Sequence, residues 1–410
     1  MPNATDNSSS RTYDVIVGGG SVAGLAFAAE ACKRGLSVLV LEEDKEIGEP
    51  EKCDGLVSLQ ELRRYAMPEK SCVQSRVTKG VVFSPSGRKA SLDASRLDVV
   101  VIDRSAFDKQ LAANAEAWGA EIRLGMRVTG VEERPDGVKV GAGSDVYAGS
   151  YYVDATGPTG VMRFNREGLV PTAKYEVEGD WFTDGVVEVY TDQEKYPGFF
   201  AWVIPRGPGI AKVGAAGFGI NAARALEAFL AERDSKIVSK VACTIYVGGP
   251  IEQFVAGRTI YVGESAGQVK PTTAGGIPSS VAGGVISARW VSDSVMLKDP
   301  SLVARYQPDW SGRYGKEYRL MSRLRHIYEN LSNKDLDKLV ATLERPKVAS
   351  KLASGSFDFH ASAALSALGV KGLLQLAGVL VSSEAKQTLS SLVRPSSSKE
   401  GDRGGRLRKV

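Results

Sequence analysis

A glycine-rich turn near the start of the chain constrains the fold more than any other feature. The run Tyr13–Gly24 is typical of a buried strand, a turn with three successive glycines and the start of a helix of small residues. Such a turn lets backbone N–H groups approach a pyrophosphate at a helix N-terminus, where the aligned peptide dipoles favour an anion. The pattern therefore predicts a dinucleotide site in a Rossmann-type domain.

The acid after the second strand decides which glycine begins the fingerprint. Ser37–Leu41 predicts that strand, and Glu42 at its end lies about 20 residues beyond Gly19, where a carboxylate accepts ribose hydroxyls. The fingerprint then runs Gly19–Gly24, with Ser21 where the second glycine is usual. Strand, loop, helix, strand and acid in this order favour a ligand site over a tight turn without a ligand.

Composition and charge disfavour some classes of function. With 410 residues, 43% of them hydrophobic, the chain is long enough for a large core and two connected lobes. Most of the net charge of +4 lies in residues 399–410, so the body is nearly neutral and a broad nucleic-acid face is not expected. The basic tail is either solvated or in contact with anionic lipid headgroups.

The N-terminus and the cysteines indicate the compartment. Residues 1–10 are polar and lack the apolar run of a signal peptide, which predicts a cytoplasmic protein, with peripheral contact at the inner face of the membrane as an alternative. No CxxC pair is present and histidines are scarce, so neither a metal site nor a disulfide framework is expected. The cysteines are Cys32, Cys53, Cys72 and Cys243.

Two later glycine turns each place an acid at the end of a predicted strand. Tyr151–Gly157 contains Asp154, and Thr259–Gly267 contains Glu264. The second turn continues through Gly275–Ile277 into a predicted helix.

The chain between these two turns predicts a separate sheet. Strands are expected at Val186–Tyr190, Phe199–Ile204 and Ile210–Gly217, with Pro205–Gly209 as the hairpin turn between the last two. Every second residue of the middle strand is bulky and apolar. That face either packs in the core or lines an apolar channel.

The ordered turns resemble those of the para-hydroxybenzoate-hydroxylase-like flavoproteins, over residues 13–291. The features that carry the resemblance are the Gly19 loop with Glu42, the pair Asp103–Arg104, the Asp154 turn and the segment Gly263–Glu264. Glu264 stands where an aspartate is usual, and its longer side chain must sit slightly further from the ribityl hydroxyls.

Two motifs narrow the resemblance to the geranylgeranyl reductases, which in archaea saturate the isoprenoid chains of membrane lipids. One is the cysteine loop Pro50–Gly55. The other is Phe200–Gly207, which is similar to the family's Tyr-x-Trp-x-Phe-Pro-Lys-Gly motif with Phe, Ile and Arg in three places. The same segment resembles the Trp-x-Trp-x-Ile-Pro motif of flavin halogenases. The alternatives are therefore an FAD-dependent monooxygenase or halogenase acting on an apolar or aromatic substrate, and a lipid- or dinucleotide-binding protein without turnover.

The resemblance implies an α/β fold class: a Rossmann-type FAD-binding domain interleaved with an antiparallel-sheet substrate domain, plus a C-terminal helical region. The implied boundaries are 11–160 and 257–297 for the two parts of the FAD-binding domain, 161–256 for the substrate lobe, 298–393 for the helical region and 394–410 for a flexible basic tail. The apolar stretch 361–392 predicts amphipathic helices that close the channel or rest on the membrane, because charged residues interrupt it.

The implied activity is FAD-dependent reduction of carbon–carbon double bonds. The implied substrate is the geranylgeranyl chain of archaeal-type glycerolipids or of their prenyl precursors. The electron donor stays open between ferredoxin, reduced nicotinamide and deazaflavin, because no second nucleotide fingerprint is visible in the chain.

The positions that match the family's FAD contacts fall mainly in the turns and loops described above. They are Ala23, Glu42, Cys53, Asp54, Leu56, Arg104, Val128, Glu264, Gly276 and Ile277. The glycines that complete the predicted cofactor site are Gly19, Gly24, Gly55, Gly157 and Gly275. Backbone N–H groups of Gly276 and Ile277, at a helix start, favour the anionic edge of a reduced flavin. The predicted substrate contacts are Phe200, Trp202 and Pro205.

Cys53 is the predicted catalytic residue. Hydride addition to an isolated alkene leaves charge on the second carbon unless a proton arrives there, and neither His326 nor His360 lies in a segment expected near the flavin. A thiol of ordinary pKa, about 8.5, is mostly protonated at neutral pH and can act as a general acid. Cys53 is therefore expected to assist protonation or to orient the alkene, with a bound water as the competing donor.

Overall fold

The described residues fold into an eight-stranded sheet with a parallel centre, a seven-stranded and mostly antiparallel sheet, a three-stranded sheet and a C-terminal group of helices. The computed structural model describes residues 12–158, 160 and 167–367. The strands are β1 (Thr12–Gly18), β2 (Val38–Leu41), β3 (Leu56–Ser58), β4 (Val73–Val77), β5 (Lys79–Phe83), β6 (Lys89–Asp93), β7 (Val99–Ile102), β8 (Glu121–Arg123), β9 (Val128–Arg134), β10 (Gly137–Ala142), β11 (Asp145–Asp154), β12 (Leu169–Glu178), β13 (Val186–Tyr190), β14 (Ala201–Gly207), β15 (Ile210–Ala216), β16 (Lys236–Tyr246), β17 (Val255–Ala256) and β18 (Thr259–Tyr261). The α-helices are α1 (Val22–Lys33), α2 (Leu59–Leu62), α3 (Arg104–Ala117), α4 (Ala222–Ala231), α5 (Ile277–Leu297), α6 (Tyr306–Glu329), α7 (Asn333–Leu343) and α8 (Pro346–Ala353). Short 3₁₀ helices cover Lys70–Cys72, Gly263–Ala266 and Pro300–Arg305.

The glycine-rich turn joins β1 to α1 in a parallel sheet. Strands β18, β11, β1, β2 and β8 are neighbours in that order and all pair in parallel. The interior of β1 is apolar and largely buried, as a strand covered on both faces requires. Helix α1 packs so closely against α5 that a Cβ at Gly284 of α5 would overlap the carbonyl of Ala23 in α1. This arrangement confirms the predicted Rossmann-type βαβ unit.

A seven-stranded sheet forms the second layer, in the order β16, β12, β15, β14, β13, β5 and β6. Its neighbours are antiparallel except for β13 and β5. One face, which carries Ala201 and Val203 of β14, packs against α4. The other face carries Trp202 and Ile204 and packs with β4 and β7. The bulky apolar face therefore packs against the three-stranded sheet formed by β3, β7 and β4, and the predicted fold class is confirmed.

Two details differ from the boundaries expected from sequence. Strands β5 and β6 lie within residues 11–160 but join the seven-stranded sheet through β13. Pro205 belongs to β14 rather than to the hairpin turn, and the pairing with β15 shifts register between Pro205 and Gly207. A proline has no N–H to donate, so a strand accommodates it at such an irregularity.

The chain is helical beyond α5, as expected, as far as the structure describes it. Trp310 of α6 packs its ring 5.4 Å from Phe254 and 5.0 Å from Tyr318. Within the described residues, no helix combines the length and apolar character that crossing a bilayer requires. Most of the predicted amphipathic stretch, from residue 368 onward, and the basic tail 394–410 lie outside the described residues.

Candidate active site

The turn between β1 and α1 leaves no room for side chains. Gly19 has a φ of +103°, and a Cβ there would overlap the carbonyl of Ala155. A Cβ at Gly24 would overlap the carbonyl of Gly19. Only glycine at these positions lets the turn fold tightly onto the N-terminus of α1, which is the geometry that a pyrophosphate requires.

Glu42 lies directly beside this turn. Its carboxylate accepts hydrogen bonds from the backbone N–H of Gly20 and from the N–H of Asp44, the latter at 2.9 Å. The structure therefore brings the acid that follows β2 to the glycine turn, as the register of the fingerprint requires. A carboxylate in this place can accept the hydroxyls of a dinucleotide ribose.

Arg104, at the start of α3, is buried at the N-terminus of α1 rather than solvated. Its guanidinium lies 3.0 Å from the carboxylate of Asp108 and 3.2 Å from the hydroxyl of Ser21. Burial acts to lower the pKa of Arg104, but Asp108 and the facing sulfur of Cys53 outweigh it and raise that pKa. The arginine thus connects the glycine turn to the cysteine loop.

One serine joins the two later glycine turns, those that contain Asp154 and Glu264, by hydrogen bonds. Ser265 donates to Asp154 at 3.1 Å and accepts from the N–H of Gly157 at 3.0 Å. The neighbouring Glu264 accepts the N–H of Tyr246 at 2.9 Å. Gly276 is the N-cap of α5, so the helix begins at Ile277 as predicted.

The remaining predicted cofactor positions are distributed over tight turns and strand ends. Ala23 lies beneath Gly263, where a Cβ would crowd its methyl group. Gly55 has a φ of +77°, and its carbonyl accepts the N–H of Ile102 at 2.9 Å. The loop then enters β3 at Leu56, whereas Val128 is buried at the start of β9 and Gly275 packs against Lys270. The tight turns and the convergent acids fit an FAD molecule.

Two buried lysines hold the cysteine loop against the seven-stranded sheet. Lys212, whose side chain is only 1% exposed, donates to the carboxylate of Glu51 at 2.7 Å and to the carbonyl of Asp54 at 3.3 Å. Lys174 donates to the carbonyls of Glu51 and Cys53. Burial alone would raise the pKa of Glu51, but the two ammonium groups hold it below its usual value.

The sequence patterns did not indicate Lys174, Lys212 or Glu51 as residues of the site. The available signal was weak: each lysine interrupts a run of small and apolar residues in a strand, and lysines in strands are usually solvated. Lys212 faces Ile204 across β14 and β15. The lysines therefore stand on the same face as the bulky apolar residues.

The predicted substrate residues meet the cysteine loop through Trp202. Its indole N–H donates to Asp54 Oδ2 at 2.8 Å, while Asp54 Oδ1 is buried and has no hydrogen-bond partner in the part of the chain that the structure describes. Burial raises the pKa of Asp54 in spite of the nearby lysines. Phe200 contributes a ring 5.9 Å from that of Trp202, and the carbonyl of Pro205 accepts the hydroxyl of Ser75 at 2.8 Å. The two motifs are therefore in direct contact.

His360 lies closer to this site than the sequence suggested. Its Nε2 is 2.9 Å from the hydroxyl of Thr272, which precedes the turn at Gly275, and its Nδ1 is 3.1 Å from the carbonyl of Phe357. A carbonyl only accepts, so Nδ1 carries the proton and Nε2 accepts from Thr272. Removal from water, together with the charge of Lys270, lowers the pKa of His360 to about 4.

The fold is shared with flavin-dependent enzymes. A geranylgeranyl bacteriochlorophyll reductase-like protein from Thermoplasma acidophilum superposes with a TM-score of 0.80 at 22% identity, over 92% of this chain and 99% of that one. A flavin-dependent brominase superposes with a TM-score of 0.66 at 17% identity, over 92% of this chain and 100% of that one. The class that these comparisons define is therefore one of fold: this chain has the fold that the two proteins share.

Sequence relatives narrow the class to one family. Digeranylgeranylglycerophospholipid reductase 2 of Methanothermobacter thermautotrophicus is 31% identical over 368 residues, covering 82% of this chain and 93% of that protein. The reductase 2 of Methanopyrus kandleri is 28% identical over 372 residues, covering 82% and 91%. The chain matches no protein-family model. It belongs to the digeranylgeranylglycerophospholipid reductase family, which confirms the resemblance found in the sequence.

Replacing Gly24 by valine tests the glycine turn. We expect Gly24→Val to weaken FAD binding by at least about tenfold, because the new side chain collides with the carbonyl of Gly19. The flavin absorbance of the purified protein measures occupancy. Gly130→Val is the matched control, since nothing lies within 4 Å of a Cβ at that position. Full occupancy in Gly24→Val would show that another loop binds the dinucleotide.

The lowered pKa of His360 predicts a stability change in acid. The unfolded chain takes up a proton near pH 6.5 and the folded chain only near pH 4, so stability is lost as the pH falls through that window, by about 2–3 kcal/mol. Urea unfolding at pH 7 and pH 4.5 should show a smaller pH-dependent loss for His360→Gln than for the wild type. The exposed His326, changed to Gln, is the control. An equal loss in wild type and His360→Gln would contradict the assignment.

Proposed function

We propose that this chain is an FAD-dependent reductase that saturates carbon–carbon double bonds in geranylgeranyl chains of archaeal-type membrane glycerolipids or their prenyl precursors. Its membership of the digeranylgeranylglycerophospholipid reductase family supports the substrate class. The observation that carries the proposal is the junction of the two family motifs. Trp202 of the substrate sheet donates to Asp54 of the cysteine loop, next to Cys53.

The chain's own residues provide a place for FAD. The turns at Gly19 and Gly276 each lead into a helix N-terminus, where an anionic group is favoured. Glu42 and Glu264 are the acceptors for the ribose and ribityl hydroxyls, and Arg104 holds the N-terminus of α1 in place. Bound reduced FAD supplies a hydride to one carbon of the alkene.

The aromatic residues at the start of β14 and just before it are suited to a prenyl chain. Phe199 and Phe200 stack with their ring centroids 4.2 Å apart, and Trp202 meets them edge-on. Such a surface binds hydrocarbon and excludes water from the site. In this arrangement Phe200, Trp202 and Pro205 direct the chain toward the cysteine loop.

Cys53 is the residue that we place beside the reacting alkene. It lies in the loop that the two lysines fix, and it assists protonation or orients the alkene. The partners follow from this chemistry: a prenyl lipid substrate, a separate electron donor and peripheral contact with the inner face of the membrane, where such lipids reside.

The activity is tested by a single turnover without oxygen. We expect the purified protein to be yellow, and its dithionite-reduced form to be reoxidised by a geranylgeranyl glycerolipid, with saturated chains detected by mass spectrometry. Prolonged survival of a flavin hydroperoxide in air, with oxygenation or halogenation of an aromatic compound and unsaturated lipid left intact, would instead identify a monooxygenase or halogenase. Failure of every prenyl lipid to reoxidise the protein would favour a binding protein.

Replacing Cys53 by serine tests its role. We expect Cys53→Ser to keep FAD but to slow alkene saturation, by up to about 10²–10⁴-fold if a lost proton transfer limits the rate. The rate of lipid-dependent flavin reoxidation measures the effect. Cys72→Ser, at a buried cysteine of the same domain, is the control. Unchanged turnover in Cys53→Ser would show that Cys53 has only a packing role in the loop.

A further inference from the structure

The neighbouring residues Cys53 and Asp54 face different parts of the site. The Cys53 sulfur lies 3.5 Å from the N–H of Gly55 and faces the guanidinium of Arg104, which belongs to the FAD-binding side. The carboxyl group of Asp54 instead meets Trp202 on the substrate strand. Of the two side chains, that of Asp54 is therefore the one hydrogen-bonded to the substrate strand.

The hydrogen bonding of Asp54 is that of a neutral acid. Oδ2 accepts the indole N–H of Trp202, and Oδ1 is shielded from water with no partner among the described residues. An ionised oxygen in that position would have lost its hydration without replacement, which costs several kcal/mol. A protonated carboxyl group keeps Oδ2 as the carbonyl oxygen that accepts from Trp202 and leaves only a neutral O–H on Oδ1 without a partner, which costs less than a buried charge.

The charged groups around Asp54 allow its carboxyl group to hold a proton and to release it. Burial raises its pKa, and the carboxylate of Glu51 acts in the same direction. The ammonium groups of Lys174 and Lys212 oppose the rise, as does the N–H of Trp202. The surroundings thus raise the pKa of the carboxyl group, while the two ammonium groups and the indole N–H stabilise the carboxylate that remains once the proton has left. The thiol of Cys243 also faces Asp54, and burial raises the pKa of that thiol to about 11, so it stays neutral.

We propose that Asp54 is the proton donor of the reduction, and that Cys53 orients the alkene. The proposal rests on the proposed function. The hydride and its electron pair form one new C–H bond, while the electron pair of the alkene π bond takes the proton from the Asp54 carboxyl group and forms the other. The O–H bond of Asp54 breaks, and the carboxylate regains its proton from water after the product leaves. A prenyl chain entering beside Trp202 must displace the atoms that cover Oδ1.

Asp54→Asn separates the acid from its structural role. Asparagine keeps an oxygen that can accept from Trp202 but has no acidic proton. We expect the FAD-loaded variant to be reoxidised by a geranylgeranyl glycerolipid about 10²–10⁴-fold more slowly than the wild type, with the rate expressed per bound flavin. Asp180→Asn, at an exposed acid of the substrate lobe, is the control and should behave as wild type.

The pH profile distinguishes Asp54 from Cys53. The donor acts in its protonated form, so the lipid-dependent rate of the wild type should fall as the pH rises through the raised pKa of Asp54. Asp54→Asn should lose this dependence, whereas Cys53→Ser should keep it even where it is slower. Loss of the dependence in Cys53→Ser alone, or a wild-type rate and profile in Asp54→Asn, would overturn the proposal.

Infrared spectroscopy tests the protonation state without turnover. We expect the carbonyl stretch of a protonated carboxylic acid at neutral pH in the wild type, and its absence in Asp54→Asn, in folded protein with or without FAD. Absence of the band from the wild type would overturn the proposal even if the variant bound no flavin. Failure of the proposed function is a separate outcome, in which the wild type itself is not reoxidised by any prenyl lipid.

Discussion

The site depends on the buried ion cluster of Glu51, Lys174 and Lys212. Two strands of the substrate sheet supply the lysines, and the cysteine loop supplies the carboxylate and three backbone carbonyls. Removing one partner of such a cluster typically costs about 3–5 kcal/mol, because the charge left behind stays buried without compensation. The cluster therefore fixes the loop to the sheet, so that the cofactor side and the substrate side of the site keep one geometry.

The fixed position of the loop against the sheet determines where the Trp202 side chain lies. Its indole lies flat over Gly214 of the neighbouring strand, where any Cβ would overlap the ring. The indole N–H then points at Asp54, and the apolar body of the ring completes the face that Phe199 and Phe200 begin. One polar contact within an apolar wall is the combination that orients a hydrocarbon substrate while excluding water.

Local patterns predicted much of the fold. The unit of β1, α1 and β2 depends on a glycine turn and on apolar strands that neighbour one another in sequence, and β13 was predicted with the bounds that the structure has. The pairing of β5 with β13 joins segments about a hundred residues apart, and nothing local in either strand specifies it. The position of Pro205 depended on a register shift, which no turn motif reveals.

The site was less predictable because its decisive contacts are non-local. Lys174 and Lys212 lie more than 100 residues from the loop that they hold, and only their burial distinguishes them from solvated lysines. Asp54 was predicted as a cofactor contact through resemblance, but its bond to Trp202 follows from how the sheet packs on the loop. The hydrogen bond between His360 and Thr272 likewise joins segments that are far apart in the sequence.

The central claim is that the cysteine loop and the Trp202 strand enclose one prenyl site. The most direct test is the rate at which an alkylating reagent labels Cys53, followed by mass spectrometry with and without a geranylgeranyl glycerolipid. Cys53 is partly accessible, whereas Cys32 and Cys72 are buried and serve as internal references. If the loop and the strand enclose one site, bound lipid slows the labelling of Cys53 and leaves the references unchanged. Labelling of Cys53 at an unchanged rate while lipid is bound would contradict the claim.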